Sequence, residues 1–304
     1  MSFKSGFVAV VGRPNAGKST LVNTLVGHKV AIVSPKPQTT RSRVQGILNR
    51  KDAQIVLVDT PGIHKPENVL GRMMMDELNH ALEGIEILSL IVDVTSDLGA
   101  GDRFSLQWIR RFRGPVFLLL NKVDRIRKPL LLPLIECYSR KFEFSEIFPI
   151  SALTGEGCFD LVEAWLARLP EGQPCFPQGQ YTDQPERYLA AEIIREKAIL
   201  ATREEVPHGI AVVIDRFDEG NELIRIGATL CVERKGQKGI LIGKGGATIK
   251  RIGMQARKEI ETMLGAHVYL ELIVRVHPNW RQNPSIVRKF DWHRQLEELV
   301  GDGA

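Results

Sequence analysis

The sequence predicts an α/β chain, a mostly parallel sheet with helices on both faces, followed by a smaller α+β domain. Three observations carry this reading. Over the first 170 residues, short apolar runs alternate with helical patterns, the signature of βα units. Residues 170–185, PEGQPCFPQGQYTDQP, hold four prolines and two glycines, which no helix runs through. Beyond that segment the order becomes helix, strand, strand.

In chain order, strands are expected at residues 7–11, 55–59, 87–93, 116–121 and 147–150. Helical patterns between them span 19–26, 70–82, 104–112, 129–141 and 159–169. Residues 43–59 read as two strands around a tight turn at Arg50–Asp52, giving one antiparallel edge strand. After the break come a helix at 186–201, strands at 209–217 and 222–233 joined through Asp218, Glu219, Gly220 and Asn221, a short apolar turn, a glycine turn, a long helix and a strand at 267–276. Ile249, Ile252, Ala256, Ile260 and Met263 give the long helix one apolar face. Trp292, Leu296 and Leu299 recur at helical spacing in a tail that either caps the second domain or meets a partner. The expected division is 1–170, a linker at 171–185, and 186–304 with a C-terminal tail helix.

Composition narrows the class. The 304 residues are 43% hydrophobic and 25% charged, ordinary for a chain that builds real cores. No apolar stretch reaches the roughly 18 residues that span a bilayer, and no cleavage site follows the early apolar run, so neither a membrane span nor a signal peptide is expected. Cys137, Cys158, Cys175 and Cys231 lie 21, 17 and 56 apart, which is neither a disulfide framework nor a zinc spacing; a reduced cytoplasmic setting is expected. The net charge of +5 says little by itself, but residues 233–258 carry eight basic residues and one acid. Residues 183–222 carry ten acids against five bases. A basic stripe among glycines reads as a phosphate-backbone footprint or, on charge alone, as a solvated helix face.

The first chemical motif follows the first strand. Gly12, Arg13, Pro14, Asn15, Ala16, Gly17, Lys18, Ser19 and Thr20 carry the pattern G-x-x-x-x-G-K-[ST] at the entry to a helix. Its backbone N–H groups suit phosphate oxygens, Lys18 suits the β and γ phosphates, and Ser19 suits Mg²⁺. Asp59, Thr60, Pro61 and Gly62 end a long apolar strand, where the carboxylate reaches the metal shell and the Gly62 N–H senses a γ-phosphate. Asn121, Lys122 and Asp124 follow the 116–121 strand; Asp124 suits the paired donors of guanine, which adenine lacks, so GTP is favoured over ATP. Ser151, Ala152 and Leu153 follow the 147–150 strand and suit the guanine carbonyl. All four motifs stand at carboxyl ends of predicted strands, where open α/β sheets bind ligands.

A fifth motif is Gly243, Lys244, Gly245 and Gly246, before the long helix. Glycines admit close approach of a nucleic-acid backbone, and Arg234, Lys235, Lys238, Lys250 and Arg251 flank the turn with charge.

On these motifs, on PQTTR at residues 37–41 and on the second half's element order, taken as helix–strand–strand–helix–GxxG–helix–strand, the chain resembles the Era family of bacterial GTPases: a translation-factor-class P-loop GTPase domain followed by a type II KH domain. The resemblance implies GTP and GDP as ligands with Mg²⁺ held by Ser19, Asp59 and a threonine of the first switch, Thr40 being favoured over Thr39. It implies catalytic contributions from Asn15, Lys18, Thr40 and Gly62, with Asn15 helping to hold K⁺ beside the phosphates. Ile63 stands where many small GTPases keep a water-orienting glutamine, so slow unassisted turnover is expected. The resemblance further implies a monomer whose partners are the 3′ end of 16S rRNA and the 30S subunit, in rRNA processing and subunit biogenesis, with the GTP/GDP state controlling RNA binding and with weak peripheral membrane contact. Competing readings, an RNA-modifying enzyme and a membrane-associated regulator, find no cofactor motif or anchor in the sequence.

Overall fold

A computed structural model describes residues 2–204, 206–220 and 222–289. They fall into two compact units, residues 2–65 with 73–183, and residues 66–72 with the described residues of 184–289.

In the first unit, β1 (Lys4–Val11), β2 (Val44–Asn49), β3 (Ala53–Asp59), β4 (Ile87–Asp93), β5 (Val116–Asn121) and β6 (Glu146–Ile150) form one sheet in the order β2-β3-β1-β4-β5-β6. Only β2 runs antiparallel, paired to β3 through the predicted hairpin, with Val44 opposite Asp59. The interior strands are buried on both faces, which explains their near-continuous apolar runs. The helices α1 (Lys18–Val26), α2 (Val69–His80, of which this unit holds the part from Met73 on), α3 (Ala100–Ile109), α4 (Leu131–Ser139) and α5 (Cys158–Arg168) connect the strands. One face packs Leu88, Leu90 and Val92 with Leu78, Leu106, Trp108 and Tyr138. At Ser89 the chain turns a hydroxyl the other way, and it accepts the Trp165 indole N–H of α5 at 3.1 Å.

Helix α3 begins four residues before its predicted start, because the Asp102 carboxylate accepts the Gly99 N–H and closes the first turn. The segment predicted as a linker is bonded to this unit. Ile47 N–H donates to the Tyr181 carbonyl at 2.9 Å, the Thr182 hydroxyl to the Gln45 carbonyl at 2.7 Å, and the Phe176 N–H to the Gln54 side chain at 2.9 Å. Prolines deny it a regular ladder, so it satisfies the open edge of β2 by isolated bonds.

In the second unit, α6 (Glu186–Ala201) precedes β7 (Ala211–Glu219) and β8 (Ile224–Val232); α7 (Lys235–Ile242), α8 (Ala247–Leu264), β9 (Val268–Val276) and α9 (Pro284–Lys289) follow. The sheet order is β7-β8-β9, with β7 antiparallel and β9 parallel to β8. Ile252, Ala256 and Ile260 of α8 are fully buried, as their spacing predicts, with Ile249 and Met263 packed at the margin. The short apolar turn expected before the glycines is the end of α7. Two glycines hide its helical signal, but Gln237 caps it and Leu241 anchors it in the core. The predicted tail spacing of Trp292, Leu296 and Leu299 lies outside the described residues, as does Asn221. Among the described residues, no helix is long and apolar enough to cross a membrane.

Candidate functional site

The strand order reverses at β1, and the loop after β1 opens there. Gly12, Asn15 and Gly17 all adopt positive φ, curling residues 12–17 around their own amides before α1 begins. Asn15 is the non-glycine exception, and its Nδ2 donates to the Pro35 carbonyl at 2.7 Å. Lys18 is buried, its ammonium donating to the carbonyls of Gly12 and Arg13 at 3.2 and 3.1 Å.

Three oxygen-bearing side chains from three segments converge beside it. Ser19 Oγ donates to Asp59 Oδ2 at 2.6 Å and lies 3.0 Å from Thr40 Oγ1, which is 3.4 Å from the same carboxylate oxygen. Asp59 is fully buried, and its Oδ1 has no hydrogen-bond partner among the described residues. This all-oxygen set with an unsatisfied carboxylate oxygen suits Mg²⁺. Thr39 instead bonds Ser34 Oγ and the Lys36 carbonyl, so the structure brings Thr40, not Thr39, into the cluster. Burial pushes the Asp59 carboxyl up to about 6 and the Lys18 ammonium down to about 8, each opposed by the attraction between them.

Thr60 donates to the Val10 carbonyl at 2.9 Å and the Ile63 N–H to the Gly12 carbonyl at 2.9 Å, laying residues 59–63 along the loop. A Cβ on Gly62 would stand 2.7 Å from Pro14, so only glycine fits. Ile63 is 1% exposed.

Asn121 ties two motifs together: Nδ2 donates to the Ala16 carbonyl at 2.7 Å, and Oδ1 accepts the Ala152 N–H at 2.8 Å. Ser151 and Ala152 are buried, whereas Leu153 is 77% exposed. Asp124 is exposed in the short turn Val123–Arg125 after β5. A cleft of about 240 Å³ is lined by residues of the 12–20 loop, by Ile32 to Pro35, by Gln38 to Thr40, by Gly62 and by Lys122. Arg13 pairs with Asp102 at 3.3 Å.

Sequence reasoning missed the supports. Thr24 donates to the Ala152 carbonyl at 2.6 Å, and Asp93 pairs with Lys122 at 2.6 Å. Asp93 ends β4 at the same sheet edge as the four motifs, so the strand-end rule, applied once more, points to it.

In the second unit, the turn between α7 and α8 carries Gly243 (φ 76°, ψ 173°), Gly245 (φ 58°) and Gly246 (φ 80°). A Cβ on Gly243 would meet Thr248 Oγ1 at 2.3 Å, while at Gly245 and Gly246 nothing lies within 4 Å. Arg234, Lys235, Lys244, Lys250 and Arg251 are exposed and Lys238 is half-buried. The one acid of the stripe, Glu233, accepts two N–H bonds from Arg281, at 3.1 and 2.6 Å, which leaves the exposed face cationic. Ile240 is 51% exposed and lines a hollow with Gly236 and Arg234.

Known proteins match both units. The family model described as "50S ribosome-binding GTPase" matches residues 7–122, and the KH domain model matches residues 205–281. GTPase Era of Staphylococcus haemolyticus is 46% identical over 290 residues, 95% of this chain and 97% of that one. GTPase Era of Staphylococcus epidermidis is 45% identical with the same coverage. A crystal structure of Era with MgGDPNP and nucleotides 1506–1542 of 16S ribosomal RNA superposes with a TM-score of 0.93 at 45% identity, covering 95% of this chain and 99% of that one. An Aquifex aeolicus Era variant bound to GDP and aluminium fluoride gives a TM-score of 0.92 with the same identity and coverage. With near-complete coverage at this identity, and with a P-loop GTPase domain followed by a KH domain, the chain belongs to the Era family of GTPases.

Proposed function

We propose that this protein binds GTP in the cleft of its first unit and hydrolyses it slowly. Its second unit grips the unpaired 3′ end of 16S rRNA, in rRNA processing and 30S subunit biogenesis. The GTP/GDP state governs that grip. The observation that carries the reading is the convergence of Ser19, Thr40 and Asp59 around an unsatisfied, buried carboxylate oxygen. Thr40 follows the loop that meets Asn15 through Pro35, so a ligand that engages Thr40 orders that loop. The division at 1–170, 171–185 and 186–304 is part of the same reading.

Lys18 neutralises charge on the β and γ phosphates, and the amides of residues 13–19 hold their oxygens. Ser19, Thr40 and Asp59 would hold Mg²⁺, which would supply charge neutralisation to the phosphates. Gly62 approaches the phosphate loop closely enough for its N–H to read a γ-phosphate. Ile63 offers no side-chain hydrogen bond to an attacking water, which supports slow turnover. Asn15 and backbone carbonyls of the first switch would hold K⁺, which would add positive charge beside the phosphates; the 2.7 Å bond from Asn15 Nδ2 to the Pro35 carbonyl supports this by bringing the two segments together. Asn121, Lys122, Asp124 and residues 151–153 enclose guanine. In the second unit Gly243 to Gly246 admit the RNA backbone, and Arg234, Lys235, Lys238, Lys244, Lys250 and Arg251 meet its phosphates. The protein acts as a cytoplasmic monomer, and any contact with a membrane is peripheral, through these same cations.

Filter binding of a single-stranded fragment from the rRNA 3′ end, with GTP, with GDP and without nucleotide, tests the whole. Affinity is expected to depend on nucleotide and to fall steeply with salt. Equal, salt-insensitive binding in all three conditions overturns the switch. Turnover in KCl above that in NaCl is expected, and equal rates remove the potassium role.

A further inference from the structure

We propose that Asp93, at the end of β4, is a positioning residue for guanine-nucleotide binding that acts through Lys122. Lys122 lines the cleft with its backbone at φ 72°, a left-handed conformation rare for a side chain of this size. Two contacts fix its ammonium: the Asn15 carbonyl at 3.0 Å and Asp93 Oδ2 at 2.6 Å. The carboxylate is itself held, because Oδ1 accepts both the N–H and the hydroxyl of Thr95, at 3.0 and 2.6 Å. Adjacent strands also set the spacing, since Asp93 stands opposite Asn121 in the β4–β5 register.

An ordinary surface ion pair contributes little, because both partners stay hydrated and mobile. This one differs. The Asp93 and Lys122 side chains are 14% and 25% exposed, and both carboxylate oxygens are engaged. With its charge answered by Asp93, the lysine is kept from folding onto the phosphates. Its methylene stem then lies along the cleft wall, where a purine face meets apolar surface. The bridge to Asn15 also links the base-side loop to the phosphate loop. Removing the carboxylate's charge leaves the ammonium half-satisfied and free to leave the wall.

The inference rests on the reading that Lys122 borders guanine, and a double-mutant cycle separates the two. Binding of fluorescent GDP is measured for the full chain and for Asp93→Asn, Asp93→Glu, Lys122→Met and the Asp93→Asn/Lys122→Met pair, with thermal melts confirming that each folds. Asp93→Asn is expected to weaken GDP about tenfold, in line with a charge-assisted hydrogen bond, and Asp93→Glu to recover part of that loss. On the Lys122→Met background, Asp93→Asn is expected to add less than about a twofold loss. Additive losses, or no loss for Asp93→Asn alone, overturn the proposal. An unchanged affinity for Lys122→Met alone overturns the placement of Lys122 at the base, and this proposal with it.

Discussion

The two units present their ligand-facing residues in opposite ways. In the first, several groups are locked by bonds within the protein itself: Asn121 spans two loops, Lys18 is folded onto carbonyls, and Asp59 is fully buried. In the second, all the cations of the basic stripe but the half-buried Lys238 stand in solvent, and the glycines at 245 and 246 face open space. The difference follows from what each grips. A nucleotide is small and must be discriminated by buried hydrogen bonds, whose loss is costly. A single strand is long and polyanionic, and it is held by many weak, screened contacts.

The sharpest way to break this contrast is at Asn121. Its amide is 2% exposed and serves the Ala16 carbonyl and the Ala152 N–H at once, so Asn121→Ala orphans one buried acceptor and one buried donor. Each orphaned group costs about 1–3 kcal/mol, and GDP affinity is expected to fall at least ~100-fold by fluorescence titration. On the other side, Lys244→Asp with Gly245→Asp reverses charge on an exposed turn, at a glycine beside which nothing lies within 4 Å. RNA affinity is expected to fall about 100-fold at low salt, with a shallower salt slope. GDP binding is expected to change by less than about twofold. A loss of GDP binding in this variant would dissolve the distinction between the two sites.

The same contrast explains what was legible in the sequence. Each nucleotide-binding motif announces itself because a tightly packed site demands particular residues at particular strand ends. Gly62 against Pro14 and Asn121 between two loops leave no substitute. The supporting Asp93 and Thr24 went unread because one carboxylate and one hydroxyl have no signature apart from the partners that folding brings. In the second unit the basic stripe and the long amphipathic helix were legible by charge and period. Helix α7 is legible only through the family's element order and not by period, because Gly236 and Gly239 lower its intrinsic preference while Leu241 and the Gln237 cap restore it through tertiary contact. The proline-rich segment 171–185 was read from composition alone. Composition could not show that its carbonyls and hydroxyls meet the edge of β2.

Burial gives Asp59 and Lys18 a pH signature. The Asp59 carboxyl, near 3.9 in an unfolded chain, is pushed up to about 6 by burial. Between those values the folded state binds more protons than the unfolded state, so this group's contribution to stability falls as pH rises from about 4 to 6. Lys18 has the complementary sign. Lowered to about 8 by burial, it adds stability as pH rises from there toward its unfolded value near 10.4. Neutral pH is therefore where the nucleotide-free site strains the fold most. Hydrogen exchange of the β1 and β3 amides in nucleotide-free protein should show wild type losing about 2–3 kcal/mol relative to Asp59→Asn between pH 4 and 6.5. A pH-independent difference would mean that Asp59 carries no burial penalty.

The finest division lies inside the glycine turn. Gly243 combines φ 76° with ψ 173°, a region essentially confined to glycine, and an added Cβ would meet the Thr248 hydroxyl at 2.3 Å. Gly243→Ala should therefore destabilise the second unit by about 2 kcal/mol, read as a lower urea midpoint of exchange for the α8 amides. Gly246 has φ 80° but open space around it, so Gly246→Ala carries only the left-handed penalty of about 1 kcal/mol. Its larger effect should fall on RNA, because the new methyl group occupies space that a phosphate backbone would use. If Gly246→Ala lowered stability more than Gly243→Ala, the open glycine would be the structural one, and the surface assigned to RNA would have to move toward Thr248.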